Sequence, residues 1–325
     1  MDIKTARWNI RIFLAGLCLV GGVPKAKAES TAPAASSVSV TAIANTYAQA
    51  RQRLIDTYKP FLIQLEGIRY NIYDDKGNAA VGWGYNFDIN NPTKYSLIKV
   101  TPRAKDGEIR LKDQDMLLLA SDNLTLAQKQ AKFPGYILSN VEKTAKELVK
   151  EDKPKGQDAS FKGSIFIMSE SKVDTLNVTR LNSFVDNVAK GVGLKRFYSW
   201  SLGKQMACVD MYYPLRDKFW TSRFYNFGIL QDNIEVEKNE AWTSDAEKNT
   251  ANRKKRRQTT RQVWVVMDSN LSYKQCAEIL AQYKKDLPGE NALYSAMETY
   301  ITNTNTNYQK GAINAASTQN SPDGR

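Results

Sequence analysis

Histidine is absent from all 325 residues, and that one gap excludes several chemistries. Without an imidazole there is no Ser-His-Asp or Cys-His nucleophile system and no HExxH zinc site. Zinc hydrolases in general lean on His ligands. An enzyme built from this chain must therefore take its acid and base from carboxylates, Lys, Tyr or Cys. No metal-ligand cluster, phosphate loop or nucleotide fingerprint is present, so no cofactor and no metal are expected. What is present suffices for a folded core. Hydrophobic residues make up 42% of the chain and aromatics 10%, with a mean hydropathy of −0.50, as in a soluble globular protein of one large domain or two modest ones.

The first 28 residues read as a secretory signal. Lys4, Arg7 and Arg11 form a basic start, Ile12 to Val23 is an apolar run short for a membrane span, and Ala26-Lys27-Ala28 is an A-x-A cleavage pattern. The expected destination is secreted or periplasmic, with a retained N-terminal anchor as the rival reading. Cleavage would remove Lys4, Arg7, Arg11, Lys25, Lys27 and Asp2, lowering the formal net charge of +12 by four. Cys18 would also go. Cys208 and Cys276 would remain, either paired in an oxidising compartment or buried as free thiols. The pairing is slightly preferred.

Residues 29–40 are small, polar and Pro-interrupted, and so read as a linker. Tyr47 to Glu66 then carries helical periodicity: Leu54, Ile55, Tyr58, Phe61, Leu62 and Leu65 recur at three and four. Pro60 marks a kink or fresh start, and Gly67 a stop. Arg69 to Phe87 predicts a short β segment turning at Asp75-Lys76-Gly77-Asn78. Helices are expected over Asp113–Lys132, Leu202–Phe219 and Ser272–Tyr300, and a short strand over Ser164–Ser169. Glu151 to Ser164 reads as a loop, and the polar tail 302–325 as disordered. The fold class is α+β.

The informative segment is Leu65 to Phe87, LEGIRYNIYDDKGNAAVGWGYNF. Glu66 closes an apolar helix, and a hairpin bearing Asp74 and Asp75 follows. Glycoside hydrolysis needs such a pair, one carboxylic acid to protonate the leaving oxygen and one carboxylate to activate water or stabilise the oxocarbenium-like state. Adjacent strand residues face opposite sides, so only one aspartate can meet Glu66. The residues alone leave Asp74 and Asp75 open as that partner.

Glu66-Gly67, Tyr73-Asp74-Asp75 and Val81-Gly82-Trp83-Gly84, in that order, resemble the phage T4-type lysozymes, the muramidases of glycoside hydrolase family 24. Residues 111–122, 206–212, 222–226 and 252–256 resemble that family's later segments, so the likeness spans about half of the chain beyond the signal. It implies a mostly helical lysozyme-like fold over 41–301, with a small β-hairpin lobe beside a cleft and insertions at about 133–200 and 228–251. It further implies an exported muramidase that cleaves the β-1,4 bond between N-acetylmuramic acid and N-acetylglucosamine with inversion. Glu66 would be the general acid and Asp75 the second carboxylate. Tyr73, Trp83 and Tyr85 would contact sugar. The family's water-positioning Thr falls at Ala80 and its His at Tyr85. The Ala80 change motivates the alternative reading, a weakened or inactive lysozyme-like protein that binds peptidoglycan or an envelope partner.

Arg253-Lys254-Lys255-Arg256-Arg257 is the densest charge run. Docking on an anionic envelope polymer or membrane surface is the functional reading. A helix start whose basic side chains pin nearby acids is the simpler one, and it is preferred. Peptidoglycan is the expected partner and nucleic acid is not.

Overall fold

The computed structural model describes residues 40–104, 107–154, 161–240, 251–267 and 271–319. The signal segment and nearly all of the linker lie outside the described residues. In chain order the elements begin with α1 (Val40–Glu66), β1 (Tyr73–Asp75), β2 (Asn78–Val81), β3 (Tyr85–Asn86), β4 (Lys94–Pro102) and β5 (Glu108–Ile109). Next come α2 (Asp113–Ala120), α3 (Leu126–Lys132), β6 (Tyr136–Thr144), α4 (Ala145–Lys150), β7 (Phe161–Lys162) and β8 (Ile165–Ile167). The remainder is helical: α5 (Glu170–Val192), α6 (Leu194–Ser199), α7 (Leu202–Leu215), α8 (Ile234–Asn239), α9 (Ala251–Val266), α10 (Tyr273–Asp286), α11 (Asn291–Thr304) and α12 (Thr306–Gln319). The class is α+β, mostly helical with small antiparallel sheets.

Two cores follow from this order. One is helical, formed by buried residues of α1, α5, α7 and α9–α11. The six apolar positions read on α1 are all in it. The other lies among β1–β4, β6, β8, α2 and α4. The sheets run β1-β2-β3 and β6-β4-β8, and backbone bonds Ile72 N to Phe166 O and Met168 N to Tyr70 O tie the first to the second. Helix α5 belongs to both cores: Val173 is buried in the sheet core, and Leu181, Phe184, Val185 and Val188 in the helical one. Residues 133–200, set apart by the resemblance as an insertion, are thus woven into both cores through β6, β8 and α5.

Several expectations need correction. The predicted helix 113–132 is two, because Ser121–Leu124 leaves helical geometry and Thr125 starts α3 with a capping box to Gln128. The predicted helix 272–300 breaks at Leu287-Pro288-Gly289, where Pro cannot continue the ladder and Gly289 has φ +84°. The tail expected to be disordered forms α12 as far as Gln319, anchored by buried Asn305 and Tyr308, whose ring meets Tyr273 at 5.3 Å. Residues 320–325 lie outside the described residues. Cys208 and Cys276 are both free and buried, on α7 and α10. The preferred disulfide is not formed; Cys208 fills space as a small apolar group, and Cys276 Sγ accepts from Asn305 Nδ2 at 3.4 Å.

The hairpin is fixed locally and from below. Lys76 and Gly77 both have positive φ, 53° and 88°, the geometry of a two-residue type I′ turn. Gly82, at φ +67°, lies against α5, where an added Cβ would sit 2.1 Å from Asn177 Nδ2 and 2.9 Å from Val173 Cγ1. Asn177 uses that proximity, accepting from Trp83 N (3.2 Å) and donating to Val173 O (2.8 Å). Gly82→Ala should therefore destabilise by about 2–4 kcal/mol, from left-handed strain plus overpacking. Urea unfolding checks this, and an unchanged midpoint would refute the tight contact.

Candidate active site

Glu66 is the last residue of α1, ended by Gly67 at φ +75°. Its half-buried carboxylate meets Arg257 Nη1 at 2.5 Å. Arg257 comes from α9, the helix that carries the basic run, and is itself 4% exposed. Behind it lies Asp210 of α7, fully buried. Arg257 Nη2 donates to Asp210 Oδ1 at 2.9 Å, Tyr58 Oη donates to the same oxygen at 2.5 Å, and Arg261 Nε donates to Oδ2. Arg257 and Arg261 are one helical turn apart, so both reach one carboxylate. Burial opposes ionisation of Asp210, yet the charges of Arg257 and Arg261 and the hydrogen bonds from Arg257 and Tyr58 hold it well below the usual carboxylate range. The simpler reading of the basic run fits these contacts, since Arg256 likewise pairs with Glu290 at 2.9 Å and donates to Gln64 O at 2.8 Å.

The hairpin sets its side chains by pleat. Tyr73 pairs with Ala80 and Asp75 with Asn78 across β1–β2, while Ala80 pairs with Asn86 across β2–β3. Directly paired residues share a face, so Tyr73, Asp75, Ala80 and Asn86 lie on one side. Burial pushes the Tyr73 hydroxyl up to about 12; nearby Arg69 opposes that shift, and Asp75 and Glu66 reinforce it. The Arg69 guanidinium sits over the Tyr73 ring at 4.4 Å. Tyr213 of α7 is pushed to about 12 by burial and then by Glu66. Its hydroxyl donates to Trp83 O at 2.8 Å, and the Arg257 guanidinium lies 5.4 Å from its ring. Glu66, Tyr73, Asp75, Tyr213 and Arg257 thus share one electrostatic neighbourhood.

The two aspartates have different employment. Asp74 Oδ1 accepts from Gly77 N at 3.0 Å and faces Lys153 Nζ at 3.5 Å, so it is spent on the turn. Asp75 has no ion-pair or hydrogen-bond partner among the described residues.

Two of the residues singled out as sugar contacts sit elsewhere. Trp83 is 3% exposed and packs into the helical core, so it offers no open stacking face. Tyr85 is next to Asn86 along β3 and therefore points to the opposite side from Tyr73 and Asp75. Its ring lies edge-on to Phe87 at 5.4 Å.

The sequence reading missed Tyr58 as a polar group, and it missed Asp210, Arg261, Arg180 and Asn86 altogether. Arg180 of α5 donates to Gly84 O and approaches the Tyr213 ring at 5.7 Å. Asn86 Oδ1 is buried without a hydrogen-bond partner among the described residues. One signal was available for Arg257 and Arg261, a four-residue spacing on one helix face. Among the described residues no group of three or more Cys, Asp or Glu could hold a metal ion, and no helix is long and apolar enough to cross a membrane.

No known protein family, curated protein or solved structure matches this chain.

Proposed function

We propose that the protein is an exported peptidoglycan hydrolase of lysozyme type. The observation that carries the reading is local: Glu66 at a helix end and Asp75 on the hairpin both act electrostatically on the same half-buried tyrosine, Tyr73. In this reading Glu66, as a carboxylic acid, gives its proton to the leaving glycosidic oxygen. Asp75 takes a proton from the water that attacks the anomeric carbon from the other side, with inversion. Arg257 releases Glu66 as substrate enters and stays seated on Asp210. Ala80 offers no hydroxyl to steer the water. The arginines around the site, Arg69, Arg180 and Arg257, suit an anionic wall polymer.

The test is release of new reducing ends from purified peptidoglycan. Asp75→Asn should lower the rate by about 10²-fold or more, the scale of a lost acid–base group, while Asp74→Asn keeps most of it. Selective loss with Asp74→Asn would reverse the assignment. A second reading, binding without cleavage, is favoured by the Arg257 clasp on Glu66. Retention on insoluble wall material with no released product would establish it.

A further inference from the structure

Beside the Glu66 neighbourhood two arginines meet without an acid. Arg180 of α5 and Arg216, which follows the last residue of α7, bring their guanidinium groups to the same two rings. Arg180 lies 5.4 Å from the Phe184 ring centroid and 5.7 Å from that of Tyr213. Arg216 lies 3.9 and 5.4 Å from the same two centroids. The rings themselves meet edge-on at 5.4 Å, so they form one corner. An aromatic face attracts a cation, but it fills none of the five N–H donors of a guanidinium. Arg180 uses a donor on Gly84 O. The Arg216 guanidinium makes no hydrogen bond or ion pair among the described residues. Other half-buried arginines of this chain are paired, Arg51 with Asp186 at 2.7 Å and Arg256 with Glu290 at 2.9 Å.

Two further features make this pairing costly. Burial, and after it the charge of Arg180, pushes the Arg216 guanidinium below its ordinary value; Tyr213 and Tyr212 oppose that shift, and no carboxylate is among the groups that act on it. The backbone of Arg216 is also strained, with φ 50° and ψ −124°. A residue with a Cβ takes such a conformation only where the surrounding structure imposes it. In that conformation the side chain lies over Phe184, on the ring pair that Arg180 already occupies. Two like charges held together on a strained backbone are offset by an anion placed between them. Both side chains are half-buried, so each keeps surface open to solvent while water screens the pair less than on an open face.

We propose that Arg180 and Arg216 form an oxyanion-binding site that takes a carboxylate or phosphate group between their guanidinium forks. The site adjoins the candidate cleft through Tyr213, whose ring is also approached by Arg257, the partner of Glu66. In the peptidoglycan reading above, the oxyanion is the terminal carboxylate of a peptide stem, held to one side of the glycan at Glu66. That choice of source rests on the peptidoglycan reading; the arginine pair and its missing counter-charge do not.

Heteronuclear NMR on the full-length protein tests it, following the Nε–H signals of Arg180 and Arg216. The probes are N-acetyl-D-alanyl-D-alanine, its C-terminal amide and inorganic phosphate, with chloride at matched ionic strength as the control for screening. Saturable shifts at both arginines are expected with the dipeptide. Binding should be at least about tenfold weaker with the amide and with Arg216→Gln, as for lost hydrogen bonds to a charged group. Arg216→Lys keeps the charge and much of the stem, so it stands even if Arg216→Gln does not fold, and it should weaken binding through loss of the planar fork. Saturation by phosphate and not by the dipeptide supports the site and rejects the peptide stem as its source. The proposal is overturned if neither anion gives saturable shifts, if chloride gives the same response, if the dipeptide and its amide bind equally, or if both Arg216 variants bind as the unaltered protein does. Failure here with peptidoglycan still cleaved rejects this site alone. Binding here with no cleavage rejects the hydrolase reading alone.

Discussion

Replacing Glu66 with glutamine is expected to cut release of reducing ends from peptidoglycan by about 10²- to 10⁴-fold, the range associated with loss of a positioned general acid. The amide fills the same space and can still accept from Arg257, but it has no proton of suitable acidity to give a leaving oxygen. Arg257 also keeps its three hydrogen bonds to Asp210. The unfolding midpoint should therefore move little while turnover collapses. Equal product release from Glu66→Gln and the unaltered protein would remove Glu66 from the chemistry.

Asp210→Asn should show the reverse pattern, with stability lost first. Asp210 is fully buried and is the shared counter-charge of Arg257 and Arg261, which are 4% and 0% exposed. Neutralising it removes the counter-charge that two buried guanidinium groups share, and breaking a buried ion pair from one side costs about 3–5 kcal/mol. Urea unfolding at neutral pH measures the loss, and a shift below about 1 kcal/mol would place this pair with exposed ones.

The acid dependence has a definite sign. Asp210 is held below its ordinary value in the folded protein. Its stabilisation is thus fully present above the unfolded-state value of about 3.9 and fades as pH falls from there toward the depressed folded value. The part of acid denaturation that begins near pH 4 and belongs to this residue should be missing from Asp210→Asn.

These two residues also mark where the sequence was readable and where it was not. The apolar face of α1 announces itself through spacing, because a buried stripe on one helix is a local pattern. The hairpin does so through Lys76-Gly77, which few residue pairs can replace. Glu66 and Asp75 stand out as candidates through the company they keep along the chain. Asp210 does not. A single aspartate inside MACVDMYY resembles any other acid until a helix from some fifty residues later brings two arginines to it. Helix α5 was hidden differently. Its buried positions include Asn177, and its surface is rich in Ser, Thr and Asn, so weak helix formers mask a regular stripe. The long β4–β6 pairing escaped because its faces alternate only partly between buried and exposed.

Helix α5 carries one more implication. Its 23 residues make a rod of about 34 Å. One stretch is sunk in the sheet core and another packs with α1 in the helical core, while Asn177 and Arg180 between them grip the hairpin at Trp83 and Gly84. The gap between the Glu66 and Asp75 backbones is therefore gauged by a stiff strut and not by the six-residue connection 67–72 that joins them in sequence. Within that connection exposed Ile68 is free to drift in composition over evolutionary time, whereas buried Tyr70, Asn71 and Ile72, and the face of α5 beneath Gly82 and Gly84, are not.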